Sequence, residues 1–184
     1  SLKMMFPVNS WAKKQNEILI PCADVADAPR FAYRSFMLDV ARNFQTKQQV
    51  LKILDLLALY KINTLHFHLN DDEGWRLEIP GLPELTEVSS KRGHTLDDKE
   101  NLHPSYGSGG EVDQFPGSGF YTKADFIEIL KYAKARHIQI IPEIETPGHA
   151  RAAIKAMDAR YNRLKSAGNL AEAQRYLLRD TLDQ

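Results

Sequence analysis

Asn63-Thr64-Leu65-His66-Phe67-His68-Leu69, running directly into Asn70-Asp71-Asp72-Glu73-Gly74, is the stretch that decides the fold. Its first seven residues are rich in β-formers, and the polar run after them does not continue a buried strand. The segment therefore reads as a strand and its C-terminal loop. Upstream, Phe36-Met37-Leu38-Asp39-Val40 is another short apolar run, ending in Ala41-Arg42-Asn43, and it reads as an earlier strand. Between the two, Thr46 and Gln49 form a capping-box pattern, and Val50, Ile53, Leu54, Leu57 and Ala58 recur at helical spacing. The same order repeats downstream. Thr122 caps a helix carrying Phe126, Ile127, Ile129, Leu130 and Ala133, and Ile138 to Ile144 reads as a third strand. Pro147-Gly148-His149 then breaks the chain before an Ala-rich helix spanning roughly Ala150 to Lys165, with Gly168 as a stop and a short helix starting near Leu170.

Strands that alternate with helices pair in parallel, which leaves an open doubly wound sheet or a closed barrel. A dinucleotide-binding sheet carries G-x-G-x-x-G after its first strand, and Asp39-Val40-Ala41-Arg42-Asn43 stands there instead. The expected fold is α/β, the N-terminal part of a (β/α)8 TIM barrel. A complete barrel takes about 250 residues, so 184 residues hold roughly half of one. Residues 1–30, with Trp11 and the strand-like Glu17 to Ile20, are expected to be a linker or the tail of a preceding domain, and 31–184 the half-barrel. Such a piece exposes an unpaired strand edge, so self-association is expected.

Composition narrows the function. Lys+Arg 24 balance Asp+Glu 24 and the charges are interspersed, which offers no footprint for nucleic acid or an anionic membrane. There is no apolar run of about 20 residues and no signal peptide pattern at Ser1-Leu2-Lys3. The single cysteine, Cys22, rules out an internal disulfide and reads as a passive buried thiol.

Polar residues collect where each predicted strand ends: Asp39 and Arg42; then His66, His68, Asp71 and Asp72; then Glu143, Glu145 and His149. In a parallel barrel these ends share one rim, where ligand chemistry gathers. Guanidinium, carboxylate and imidazole groups together suit a ligand rich in hydroxyls. Trp75 could lie on a sugar face or pack beneath its loop. His66 and His68 with the nearby carboxylates also permit a metal-dependent barrel hydrolase, and a non-catalytic sugar-binding piece is a third reading.

Three runs go further. Arg34-Ser35-Phe36-Met37-Leu38-Asp39-Val40-Ala41-Arg42-Asn43-Phe44, His66-Phe67-His68-Leu69-Asn70-Asp71-Asp72-Glu73-Gly74-Trp75-Arg76 and Pro142-Glu143-Ile144-Glu145-Thr146-Pro147-Gly148-His149-Ala150 resemble the family-20 glycoside hydrolases, the β-N-acetylhexosaminidases. Ala159-Arg160-Tyr161-Asn162-Arg163 is similar to Bacteroides-type members. The resemblance implies that Arg42 binds the outer hydroxyls of a terminal N-acetylglucosamine or N-acetylgalactosamine. It implies that Asp71 and His149 orient the catalytic acid, with His68 and Glu145 in support. Arg34 and Asp39 read as structural ion-pairing residues.

The implied reaction is retaining and substrate-assisted, one of the exceptions to the two-carboxylate scheme, and needs neither metal nor other cofactor. The Asp-Glu pair after Gly-Gly that the family uses is not in this sequence, whose only adjacent Asp-Glu is Asp72-Glu73. The chain alone is therefore expected to be inactive. The resemblance further suggests an extracytoplasmic parent. Asn43 stands where many relatives have histidine, and Ser35 where many have glycine.

Overall fold

A computed structural model describes residues 5–11, 13–112 and 117–177. By contacts the chain divides into two units, Ser1–Arg34 and Ser35–Gln184. The first unit has a 3-10 turn at Val8–Trp11 and no strand at Glu17 to Ile20, contrary to the sequence expectation. A strand needs a pairing partner, and these residues take no regular structure, with Leu19 87% exposed. Cys22 is exposed rather than buried for the same reason. Arg34 is half-buried, and its Nη1 donates to the carbonyls of Phe31 at 2.6 Å and Ala32 at 3.3 Å.

The second unit is built on a parallel sheet of β1 (Ser35–Asp39), β2 (Thr64–His68) and β5 (Gln139–Glu143), in the order β1-β2-β5. Helix α1 (Lys47–Leu59) connects the first two strands. Before β5 the chain makes the two-residue pair β3 (Asn70–Asp71) and β4 (Gly74–Trp75), the single turn α2 (Glu84–Glu87) and helix α3 (Lys123–Lys134). Helix α4 (Arg151–Ser166), the short α5 (Leu170–Ala173) and a 3-10 turn at Gln174–Tyr176 follow. This is strand-helix alternation of a (β/α)8 barrel, with a long excursion between β2 and β5. The β3–β4 hairpin and α2 were not foreseen.

Local chemistry accounts for the helix starts. Thr46 accepts from the Gln49 amide while Gln49 Oε1 takes the Thr46 amide at 2.7 Å, closing the capping box of α1. Thr122 and Asp125 repeat the device on α3. Ala150 offers α4 no side-chain cap, and Asp72 Oδ1 supplies one from another loop by accepting the Arg151 amide at 3.0 Å.

The two faces of the sheet have different fates. Leu65 and Phe67, alternate residues of β2, are fully buried against Val50, Leu54 and Leu57 of α1 and Ile129 and Ala133 of α3. Each such burial contributes about 1.5–3 kcal/mol, and together they fix the helices to one face. The other face carries Met37, His66 and Ile141 at one level of the register and Asp39, His68 and Glu143 at the next.

A second cluster of Trp75, Leu85, Leu102, Ala152 and Ala156 holds the hairpin and α2 against α4. Trp75 is buried there, and its indole N–H donates to the Leu77 carbonyl, so it packs beneath its loop rather than offering a face to a sugar. Nearby, buried Glu84 pairs with Arg160 at 2.9 Å and also with Arg163, which ties α2 to α4.

Arg76 fastens the loops above the sheet. It is fully buried and donates to five backbone carbonyls: Val40, Ala41, Ser90, Gly117 and Gly119, at 2.8–3.1 Å. Burial first, and the neighbouring Arg92 second, push its pKa down to about 9, so the group stays charged at neutral pH. The close fit explains Gly74, where a Cβ would stand 2.5 Å from Arg76 Cζ. Within the excursion between β2 and β5, the Gly-rich stretch from Ser105 to Gly119 is pinned at its far end by the same guanidinium, and its residues 113–116 lie outside the described residues.

Candidate functional site

The register places Asp39, His68 and Glu143 side by side at the C-terminal ends of β1, β2 and β5. Everything else in the site is built on that row. Arg42 leaves the end of β1 through a tight turn in which Asp39 Oδ1 accepts the amides of Ala41 and Arg42 at 3.0 and 3.1 Å. Its guanidinium then meets Asp39 Oδ2 through Nη1 at 2.9 Å, Glu73 Oε2 through Nε at 3.2 Å and Asp71 Oδ2 through Nη2 at 2.6 Å. Asp39 thus pairs locally, as expected. Burial works against the Arg42 charge, but the hydrogen bond to Asp39 and the fields of Asp39, Asp71 and Glu73 raise its pKa above the ordinary value.

Asp71 is the hub. It is 1% exposed. Besides Arg42, its Oδ2 lies 2.9 Å from His68 Nε2, while Oδ1 accepts the Asp72 amide at 2.7 Å and faces His149 Nδ1 at 3.2 Å. His149 reaches it from the loop after β5, with its own backbone in the left-handed region at φ 50, a conformation histidine tolerates better than most residues. Two further contacts hold that loop in place. Asn70, fully buried at the start of β3, accepts the Glu145 amide at 2.8 Å and donates to the Glu145 carbonyl at 3.2 Å, and Asp72 caps α4.

His68 is equally enclosed. Its Nδ1 lies 2.8 Å from Glu143 Oε2, an oxygen that also meets His66 Nε2 at 2.8 Å. Burial opposes protonation of His68, yet hydrogen bonds to Glu143 and Asp71 and the charges of Asp39 and Glu143 raise its pKa. Burial likewise tends to raise the Glu143 pKa, but hydrogen bonding with His68 and Glu145 and the charges of His68 and His66 hold that carboxyl below its usual value.

Arg42, His68, Asp71 and His149 are therefore one connected group, and Glu145 joins it mainly through its backbone. The junction role of Glu143, the capping of α4 by Asp72, and the contributions of Asn70 and Glu73 were missed. Glu143 was findable, because equal strand boundaries place it level with His68. The carboxylates and imidazoles also form two groups compact enough for a cation, His68 with Glu143 and Glu145, and Asp71 with Asp72 and His149. The hydrogen-bonded reading fits better. Both ring nitrogens of His68 already face carboxylates, the Arg42 guanidinium stands 3.0 Å from Nε2, and His66 and His68 converge on a carboxylate oxygen.

Residues 31–181 match the family model described as glycosyl hydrolase family 20, catalytic domain. The chain is 57% identical, over 92% of its length, to N,N'-diacetylchitobiase of Vibrio harveyi, of which it spans 19%. The crystal structure of the family-20 exo β-N-acetylglucosaminidase from Vibrio harveyi, in complex with N-acetylglucosamine, superposes with a TM-score of 0.65 at 47% identity, covering 72% of this chain and 19% of that one. The β-N-acetylhexosaminidase of Bacteroides fragilis superposes with a TM-score of 0.62 at 34% identity, covering 82% and 26%. The fold is thus part of a TIM barrel, and its relatives include the Bacteroides type.

Proposed function

The chain belongs to glycosyl hydrolase family 20, and on that premise we propose that it supplies one side of the sugar-binding mouth of a β-N-acetylhexosaminidase. The observation that carries the reading is the placement of Arg42. Nε and Nη1 donate to Glu73 and Asp39, whereas Nη2 is in ion-pair contact with Asp71 alone among the described residues, which leaves it an N–H for a sugar hydroxyl. In this reading Arg42 binds the outer hydroxyls of a terminal N-acetylhexosamine, and Asp71 with His149 orients the acid that protonates the leaving oxygen. The sugar's own acetamido oxygen attacks the anomeric carbon. The named relatives, a diacetylchitobiase and an enzyme holding N-acetylglucosamine, support that substrate class.

The 184 residues carry the holding groups and not the acid. Their only adjacent Asp-Glu pair is engaged otherwise, Asp72 with the start of α4 and Glu73 with Arg42. Titration calorimetry with N-acetylglucosamine should show binding that Arg42→Ala weakens by about 10- to 100-fold, the loss of a charged hydrogen bond. Purified chain should release no nitrophenol from nitrophenyl N-acetyl-β-glucosaminide. Unchanged affinity in Arg42→Ala would refute the placement, and release of nitrophenol would refute the division of labour. The polypeptide is also proposed to self-associate, because Phe36 and Met37 of the edge strand β1 are 45% and 49% exposed. A light-scattering mass that stays monomeric with rising concentration would count against it.

A further inference from the structure

His68 Nε2 is in an ambiguous position. Asp71 Oδ2 at 2.9 Å accepts a hydrogen bond only if Nε2 bears a proton, and Arg42 Nη1 at 3.0 Å donates one only if Nε2 has a free lone pair. Which neighbour is satisfied depends on the charge of the ring, and the ring's other nitrogen faces Glu143 Oε2 at 2.8 Å. An ionised carboxylate there keeps a proton on Nδ1, so the ring is either the neutral Nδ1–H form, which favours Arg42, or the imidazolium, which donates to both carboxylates. The groups around the ring favour the second form. Asp39 and Arg42 face it from the end of β1, Asp71 from β3, His66 from its own strand, and Glu143 with Glu145 from the end of β5. Carboxylates outnumber the single guanidinium, and the His68 side chain is 4% exposed, so solvent screens them little.

We propose that Glu143 is a positioning residue that keeps His68 doubly protonated, so that His68 and Arg42 grip Asp71 Oδ2 together and leave Oδ1 turned toward His149. Polar contacts of 2.8–3.2 Å then run from His66 through Glu143, His68 and Asp71 to His149. Only the use made of Asp71 and His149 rests on the hexosaminidase reading; the state of His68 does not.

The test is nitrogen NMR of the 184-residue chain labelled with 15N-histidine and followed across pH without sugar. At pH near 7 His68 is expected to show two proton-bearing nitrogens. Glu143→Gln, which keeps the shape and removes the charge, should convert it to a neutral ring at that pH and lower its midpoint by about one unit or more. His66→Gln should leave His68 doubly protonated, since its contact with Glu143 remains. A bare His68 nitrogen in the parent chain overturns the proposal, even if neither variant folds. So does an unmoved midpoint in Glu143→Gln, or an equal fall in His66→Gln. Failure to bind N-acetylglucosamine would sink the functional reading and leave this result untouched.

Discussion

Replacing Arg76 by methionine should destabilise the chain by about 2–3 kcal/mol, although the residue touches no proposed substrate group. The figure comes from its acceptors. Of the five carbonyls it serves, that of Ser90 keeps another donor, the Gly119 amide at 2.9 Å. The other four lose a charged donor inside the protein, at roughly 1 kcal/mol of net stability each. Methionine fills much of the volume and removes a buried guanidinium that has no carboxylate in contact among the described residues, which returns about 1–2 kcal/mol. Urea unfolding followed by circular dichroism measures the difference. Hydrogen exchange adds the location, because the amides of Gly119 and Tyr121, which bond to Ser90 and Arg76 carbonyls, should exchange faster than those of α1. A loss below about 0.5 kcal/mol, or a variant more stable than the parent, would refute the view that these carbonyls depend on the guanidinium.

Three other outcomes are expected. The raised His68 pKa gives a contribution that is complete below 6.5 and lost as pH rises through its folded value; the lowered Glu143 pKa gives one that is complete above 4.5 and lost as pH falls through its own. The pair therefore stabilises most between these limits, and melting temperatures across pH that show no decline above this window would contradict it. Gly74→Ala should cost about 1–3 kcal/mol by pressing a methyl onto Arg76, and an unchanged melting temperature would mean the guanidinium gives way. Glu84→Gln should cost about 2–3 kcal/mol and loosen α2 from α4, since it leaves Arg160 without its carboxylate; protease resistance equal to the parent's would disprove the linkage.

Much of this architecture was readable in the chain. The capping boxes at Thr46 and Thr122 start their helices where the side chains allow, since a cap is a contact over three residues. The polar clusters fell at strand ends because burial alternates with a period of two, and the rim followed from parallel pairing. What stayed hidden depends on distant backbone. Arg76 looks like any arginine until the carbonyls of residues 117 and 119 arrive. Glu143 was one acid among several until the register set it beside His68. Glu17 to Ile20 were misjudged because β-propensity makes a strand only where another strand pairs with it, and none does among the described residues; Cys22 was misjudged because a small thiol was taken as buried.

The level row of Asp39, His68 and Glu143 has a further consequence. Main-chain pairing works as a ruler that sets the depth of each group below the opening, so side chains there can be exchanged one at a time, but the spacing cannot drift. A single residue inserted early in β2 would bring Phe67 into the place of His68, with an aromatic ring between two acids and an imidazole turned into the helix layer. Change at this opening is therefore confined to point replacement within the strands, while length variation is left to the loops beyond them.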